Sequence, residues 1–208
     1  MDTLQAYNLW ATQYGTNPNQ TRDMEAIALR ESLAGISFDN CLGIGCGTGK
    51  NTIWLVEKAA MLTAVDLSDE MLSKARVKIT SPKVKFIQAD ITRPWTFTNE
   101  AFRLVTFSLV LEHISDLDHI FAGTAKLLEP GGFVYIGEFH PFKQYNGSKA
   151  RFETEQGTQV VDCFNHHVSD FTDKPKNYGL QVISVNEYFD ENDRNNIPRI
   201  LTVLLKKV

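Results

Sequence analysis

Residues Leu42-Gly43-Ile44-Gly45-Cys46-Gly47-Thr48-Gly49-Lys50-Asn51-Thr52 decide the fold, because a short apolar run ends in them and a helical pattern begins. Glycine at alternate positions lets the backbone turn tightly and come close to a ligand, since no Cβ intervenes and positive φ carries no penalty. A glycine loop between a strand and a helix is the sequence sign of a nucleotide-binding βα turn. The spacing departs from GxGxxG: counted from Gly43 the third glycine position holds Thr48, and counted from Gly45 it holds Lys50. A pyrophosphate-binding dinucleotide loop therefore fits poorly, and only as a divergent version.

Outward from this loop, short β-like runs alternate with helix-length amphipathic segments, which predicts βαβ units and a mainly parallel sheet. Strands are expected at 41–45, 62–66, 84–88, 104–108, 133–138, 182–186 and 201–206, the last two paired at one edge. Helices are expected at 50–59, 69–79, 117–128 and 169–178. Ser68 is placed to cap the second of these, with Asp69 and Glu70 in its first turn, and Ser169 to cap the last. Glu129-Pro130-Gly131-Gly132 returns the chain to the sheet, Pro presetting φ and Gly supplying its positive values. The fold class is α/β: a doubly wound, Rossmann-like, mainly parallel seven-stranded sheet with helices on both faces and an antiparallel edge strand.

The chain of 208 residues is sized for one domain, 1–208. Two segments stand outside the alternation. Residues 1–35 place Tyr7, Trp10 and Tyr14 on one helical face and read as an N-terminal helical lid. Residues 139–165 read as an insertion after strand five, an acceptor-side lid. Net charge of −4 and a pI near 5.7 oppose binding of nucleic acid. The basic stretch Lys143, Lys149, Arg151 reads as a solvated loop. Cys41, Cys46 and Cys163 show no metal-ligand spacing and no disulfide framework, so no metal site is expected. With no signal-like or membrane-spanning run, a cytoplasmic location and no membrane partner are expected. Oligomeric state is left open.

Gly45-Cys46-Gly47-Thr48-Gly49 resembles the first motif of the class I S-adenosylmethionine-dependent methyltransferases, and the resemblance runs on. Ala64-Val65-Asp66-Leu67-Ser68 is similar to the segment ending strand two, where the family's carboxylate receives both ribose hydroxyls; this implies Asp66, with Leu67 beside it. Phe86-Ile87-Gln88-Ala89-Asp90-Ile91 resembles the adenine-side segment, implying Asp90 and Ile91. Phe107-Ser108-Leu109-Val110 through His113 resembles the fourth motif beside the methionine end, implying Ser108, Leu109 and His113, the last read equally as a packed helix-start residue. The residues after strand four lack the Asn/Asp-Pro-Pro-Tyr and Pro-Cys patterns of DNA methyltransferases. Tyr7 through Tyr14, Leu128 through Gly132, and Asn165 through Leu180 look like the small-molecule branch. One departure stands out: where the family carries Asp or Glu two residues before the first motif glycine, this chain has Gly43.

The resemblance implies methyl transfer (EC 2.1.1.-) from S-adenosylmethionine to a small-molecule acceptor, with S-adenosylhomocysteine as product. Cofactor-binding residues are then Tyr14, Gly45, Cys46, Gly47, Gly49, Asp66, Leu67, Asp90, Ile91, Ser108, Leu109 and His113, with Tyr14 read equally as core packing. His140 as base, with Glu138 beside it, is expected to line the acceptor pocket at the end of strand five; structural polar roles for both stay open. His166 and His167 read as packing at the start of the last helix. Two alternatives remain, a non-catalytic cofactor-binding protein and a nicotinamide-dependent oxidoreductase.

Overall fold

The computed structural model describes residues 1–14, 17–154 and 157–208; Gly15, Thr16, Glu155 and Gln156, inside the expected segments 1–35 and 139–165, lie outside the described residues. Two helices, α1 (Thr3–Tyr14) and α2 (Gln20–Ser32), precede β1 (Asn40–Ile44), α3 (Lys50–Lys58), β2 (Met61–Asp66), α4 (Asp69–Lys78), β3 (Val84–Gln88) and β4 (Phe102–Ser108). A 3-10 turn (Leu111–His113), α5 (Leu117–Leu127), β5 (Leu128–Phe139) and α6 (Pro141–Tyr145) follow. The chain ends with the hairpin β6 (Arg151–Thr154) and β7 (Gly157–Val160), then α7 (Val168–Thr172), β8 (Leu180–Tyr188) and β9 (Ile200–Lys207).

The seven-stranded sheet runs β3-β2-β1-β4-β5-β9-β8. Its first five strands are parallel, and β8 and β9 pair at one end as the sequence pattern implies, but the antiparallel strand is not the edge: β9 runs antiparallel between β5 and β8, and β8 forms the edge. Successive side chains of a strand point to opposite faces, and the core divides accordingly. Leu42, Ile44, Val105, Phe107, Val134, Ile136, Val203 and Leu205 join α5 on one face. Cys41, Leu104, Tyr135 and Leu204 meet Leu29 and Leu33 of α2 and Leu55 of α3 on the other. This two-sided burial is why the inner strands read as nearly continuous apolar runs.

Three local expectations are corrected. The last helix is broken: α7 stops at Thr172 and a 3-10 segment spans Lys174–Tyr178, because Pro175 has no N–H for a continuing α-helix. Ser169 is not its cap; the helix starts at Val168, and Asp170 Oδ2 accepts the His167 N–H at 2.8 Å. Strand β5 begins at Leu128, with its register against β4 broken between Phe102 and Leu104, so the Pro-Gly-Gly turn is a bulge within the strand rather than a linker before it. Ser68 does cap α4, accepting from Met71 N at 3.1 Å.

The two segments outside the βα alternation pack on each other. Trp10 of α1 stacks on Phe152 of β6 with centroids 4.9 Å apart, and Ala6, Ala11, Met71 and Val161 complete a third buried cluster. Trp10→Ala should raise amide hydrogen exchange in β6 and β7 at least tenfold with little change in β1 and β4; unchanged exchange in the hairpin would show that it is held elsewhere.

Candidate functional site

In a doubly wound sheet the crevice forms beyond the carboxyl ends of the strands where their order reverses, here between β1 and β4. Three cavities of about 440, 370 and 290 Å3 meet there, and Tyr14 and Leu109 line all three. Leu109 has φ of 55°, a left-handed conformation rare for a branched residue, and its amide donates to the Gly137 carbonyl at 2.8 Å.

The glycine loop is built by close approach. Gly45 and Gly49 have φ of 70° and 85°; a Cβ on Gly45 would lie 2.8 Å from Val110 Cβ, and one on Gly49 2.8 Å from Ile79 Cδ1. Strand β2 pins this loop. The Val65 carbonyl accepts from Gly45 N and Cys46 N at 2.8 and 3.0 Å, and Gly47 N donates to Asp66 Oδ2 at 2.8 Å. Asp66 Oδ1 accepts from Ser68 N at 2.9 Å. Burial raises the Asp66 carboxyl pKa, and backbone N–H groups of Ser68, Gly47 and Leu67 oppose that rise. A carboxylate has about four acceptor sites, so capacity remains for a vicinal diol.

The 370 Å3 cavity gathers Gly45, Gly47, Asp66, Leu67, Asp90, Ile91, Ser108, Leu109 and His113. Asp90 Oδ1 accepts from Thr92 N and Thr92 Oγ1 at 2.9 and 2.6 Å. His113 is buried; its Nδ1 lies 2.9 Å from the Asp162 carbonyl and its Nε2 2.8 Å from the Tyr7 hydroxyl. With Nδ1–H donating to the carbonyl, Nε2 is the acceptor for Tyr7. Tyr14 meets Trp10 edge-on at 4.9 Å, and the Arg22 guanidinium sits 4.0 Å from its ring centroid. Burial pushes the Tyr14 hydroxyl up to about 12. Cys46 lines the 440 Å3 cavity, its thiol pushed up by burial.

Glu138 and His140 line none of these three cavities. Glu138 Oε1 accepts from Val110 N and Leu111 N at 3.0 and 2.8 Å, which caps the 3-10 turn. Burial, with the Glu112 charge second, pushes its carboxyl up to about 8. His140 is fully buried; Nδ1 accepts from Phe142 N at 3.1 Å and caps α6, while Nε2 lies 3.0 Å from Glu187 Oε1. His166 is also structural, its Nε2 lying 2.8 Å from the Ile114 carbonyl. Among the described residues no group of three metal-ligating side chains occurs.

The sequence reading missed Glu25 and Arg22. Both come from α2, outside the βα alternation, and both line the 440 Å3 cavity with Gly43, Asn51 and Ser108. Glu25 is 2% exposed, and burial pushes its carboxyl up to about 7. The only sequence signal for it was the missing acid at position 43.

A sheet of this order, with a glycine loop and a strand-end carboxylate at its switch point, defines a nucleotide-cofactor α/β protein of the methyltransferase type. Residues 42–136 match the family described as methyltransferase domain, a match that together with the fold supports a class I S-adenosylmethionine-dependent methyltransferase. An uncharacterised methyltransferase of Emericella nidulans is 24% identical over 89% of this chain and 78% of its own length. A ubiquinone biosynthesis O-methyltransferase of Vibrio atlanticus is 30% identical over 55% of this chain, which spans only 50% of that protein. The N-methyltransferase NodS of Bradyrhizobium japonicum, solved with S-adenosyl-L-homocysteine, superposes with a TM-score of 0.74 at 19% identity, covering 99% of this chain and 98% of that one.

Because Glu138 holds its proton to higher pH in the fold than in the unfolded chain, it contributes stability below about pH 4.5 that is lost as pH rises toward 8. The melting temperature of Glu138→Gln minus that of the parent should therefore climb between pH 5 and about 8. Parallel pH profiles for the two proteins would refute the assignment.

Proposed function

We propose that this chain transfers a methyl group from S-adenosylmethionine to a small-molecule acceptor held between the N-terminal segment 1–35 and the insertion 139–165, which act as lids. The observation that carries this reading is the Asp66 carboxylate, bonded to the loop amide of Gly47 and facing the 370 Å3 cavity. Glycines without room for a Cβ and a strand-end carboxylate suit the cofactor's nucleoside: Asp66 for the ribose, Asp90 and Ile91 for adenine, and the Ser108–Leu109 backbone toward the methionine. When bound, the cofactor supplies an electrophilic methyl on a sulfonium. The protein's part is orientation and exclusion of water. Tyr14, at the junction of all three cavities, offers an aromatic face to a cationic centre. Where the acceptor must lose a proton, the Tyr7 hydroxyl, which lines the 290 Å3 cavity and donates to His113 Nε2, connects that cavity to an imidazole, whereas His140 is sealed from the cavities.

The 290 Å3 cavity between the lids is the acceptor's place: Tyr7, Trp10, Tyr14 and Phe139 line it with Arg22, Lys149, Arg151 and Arg199. Arg199 is paired with Asp190. Among the described residues Arg22, Lys149 and Arg151 have no carboxylate partner, and burial raises the pKa of Glu112, which also lines the cavity, so the pocket favours an acceptor bearing negative charge. Protein saturated with S-adenosylhomocysteine should bind butyrate or methylphosphonate more tightly than butylamine, and Lys149→Gln/Arg151→Gln should erase the preference. Equal binding of butylamine would remove it.

Three free cysteines fit a reducing, cytoplasmic setting, and no helix among the described residues is long and apolar enough to cross a membrane. Calorimetric titration with S-adenosylhomocysteine tests the central reading. Charged hydrogen bonds contribute roughly 1.5–3 kcal/mol each, so Asp66→Ala should weaken binding at least tenfold. A folded parent protein that binds neither cofactor nor product would overturn it.

A further inference from the structure

Buried carboxylates ordinarily meet a cation, because removing their charge from water costs more than neutral donors return. Among the described residues Glu25 has only neutral donors. Asn51 Nδ2 donates to Oε2 at 2.7 Å and the Tyr135 hydroxyl to Oε1 at 3.1 Å, and no Lys, Arg or His among the described residues forms an ion pair with it. Lys50, on α3, is paired instead with Asp23.

The sheet makes room for this carboxylate. Strand alternation and register put Gly43, Thr106 and Gly137 on the face that carries Cys41, Leu104 and Tyr135, which α2 covers. At Gly137 a Cβ would lie 2.7 Å from Glu25 Oε1, so only glycine there admits the side chain. A Cβ at Gly43 would meet only Thr106 Oγ1, at 3.7 Å, and Gly43 does not have positive φ. Nothing steric therefore requires glycine at 43. Its lack of a side chain leaves open the cavity that Glu25 also lines.

We infer that Glu25 is the anionic anchor for the ammonium group at the amino-acid end of the cofactor, supplied by α2 in place of a carboxylate at position 43. The inference rests on the functional reading above and specifies one end of its site. The adjacent Ser108 hydroxyl, within reach of Asn51 at 3.2 Å, ties the anchor to the end of β4. Arg22, one turn before Glu25 and lining the same cavity, faces the carboxylate of the same zwitterion; its Nε is buried without a partner.

An ammonium beside Glu25 favours the ionised carboxylate, so binding below about pH 7 releases a proton from it. The titratable groups around it are Tyr135 on β5, Lys50 on α3, Tyr14 on α1, Cys46 on the glycine loop, Lys78 on α4, and Arg22 and Asp23 on its own helix. Of these, none has an ordinary pKa between 5.5 and 8.

Calorimetry with two probes tests the assignment: S-adenosylhomocysteine, and 5′-methylthioadenosine, which lacks the amino-acid end. Glu25→Gln should weaken the first at least tenfold and the second less than twofold, and Gly43→Asp in that background should recover most of the loss. In the unmodified protein, titrations at pH 6.5 in buffers of different ionisation heat should show proton release with the first probe and none with the second. Equal losses for both probes, no loss for either, or no proton release would overturn the inference while leaving the nucleoside site intact. A folded protein that binds neither probe would overturn the functional reading and this inference together.

Discussion

The hydrogen bonds from the glycine loop to the end of β2 are the constraint on which the site depends. The Val65 carbonyl takes two loop amides and the Asp66 carboxylate a third, so the loop cannot move without β2. This matters because the loop's glycines are the residues whose backbone is least restrained by itself. An Asp at the strand end thus has two tasks from one side chain: it fixes the loop's shape and presents acceptor capacity to whatever the loop cradles. Helix α1 joins the same network, since Ser68 Oγ, which caps α4, donates to Asn8 Oδ1 at 2.6 Å.

Much of this was legible in the sequence, for identifiable reasons. Inner strands buried on both faces gave apolar runs of four to six residues on the order expected for parallel strands, and the loop glycines and Asp66 sit at spacings set by one βαβ unit. What was not legible came from polar segments and from long-range contacts. The hairpin β6–β7 contains Arg151, Glu153, Thr158 and Gln159, a composition with no alternation to mark strands; it is fixed by Phe152 on Trp10, about 140 residues away in sequence. Glu25 reads as one of several acids on an amphipathic helix until the sheet places Gly137 beneath it.

His140 and Glu138 show a different limit. Their position at the end of β5 is right for function, but direction and burial decide whether a side chain reaches a ligand, and both turn to nearby backbone amides. A buried carboxyl oxygen that accepts two amides caps a turn even while the group holds its proton. Glu138 thereby holds the 3-10 turn that starts two residues after Leu109, and with it the left-handed backbone at Leu109 that opens onto all three cavities. Its distance from the ligand space is no sign of irrelevance to the site.

Helix α2 links the two halves of the site physically. Its buried face carries Leu29 into the core below the sheet, so its rotation is fixed by packing, and that rotation aims Glu25 inward. Arg22, lying one turn earlier, then falls between the 440 Å3 and 290 Å3 cavities and lines both. A guanidinium shared by two cavities responds to charge in either one. Neutralising it from the cofactor side weakens the field on the acceptor side, and stacking on Tyr14 at 4.0 Å holds it at that boundary. On the proposed reading, an anion bound beside Arg22 in one cavity lowers the potential that the guanidinium presents to the other.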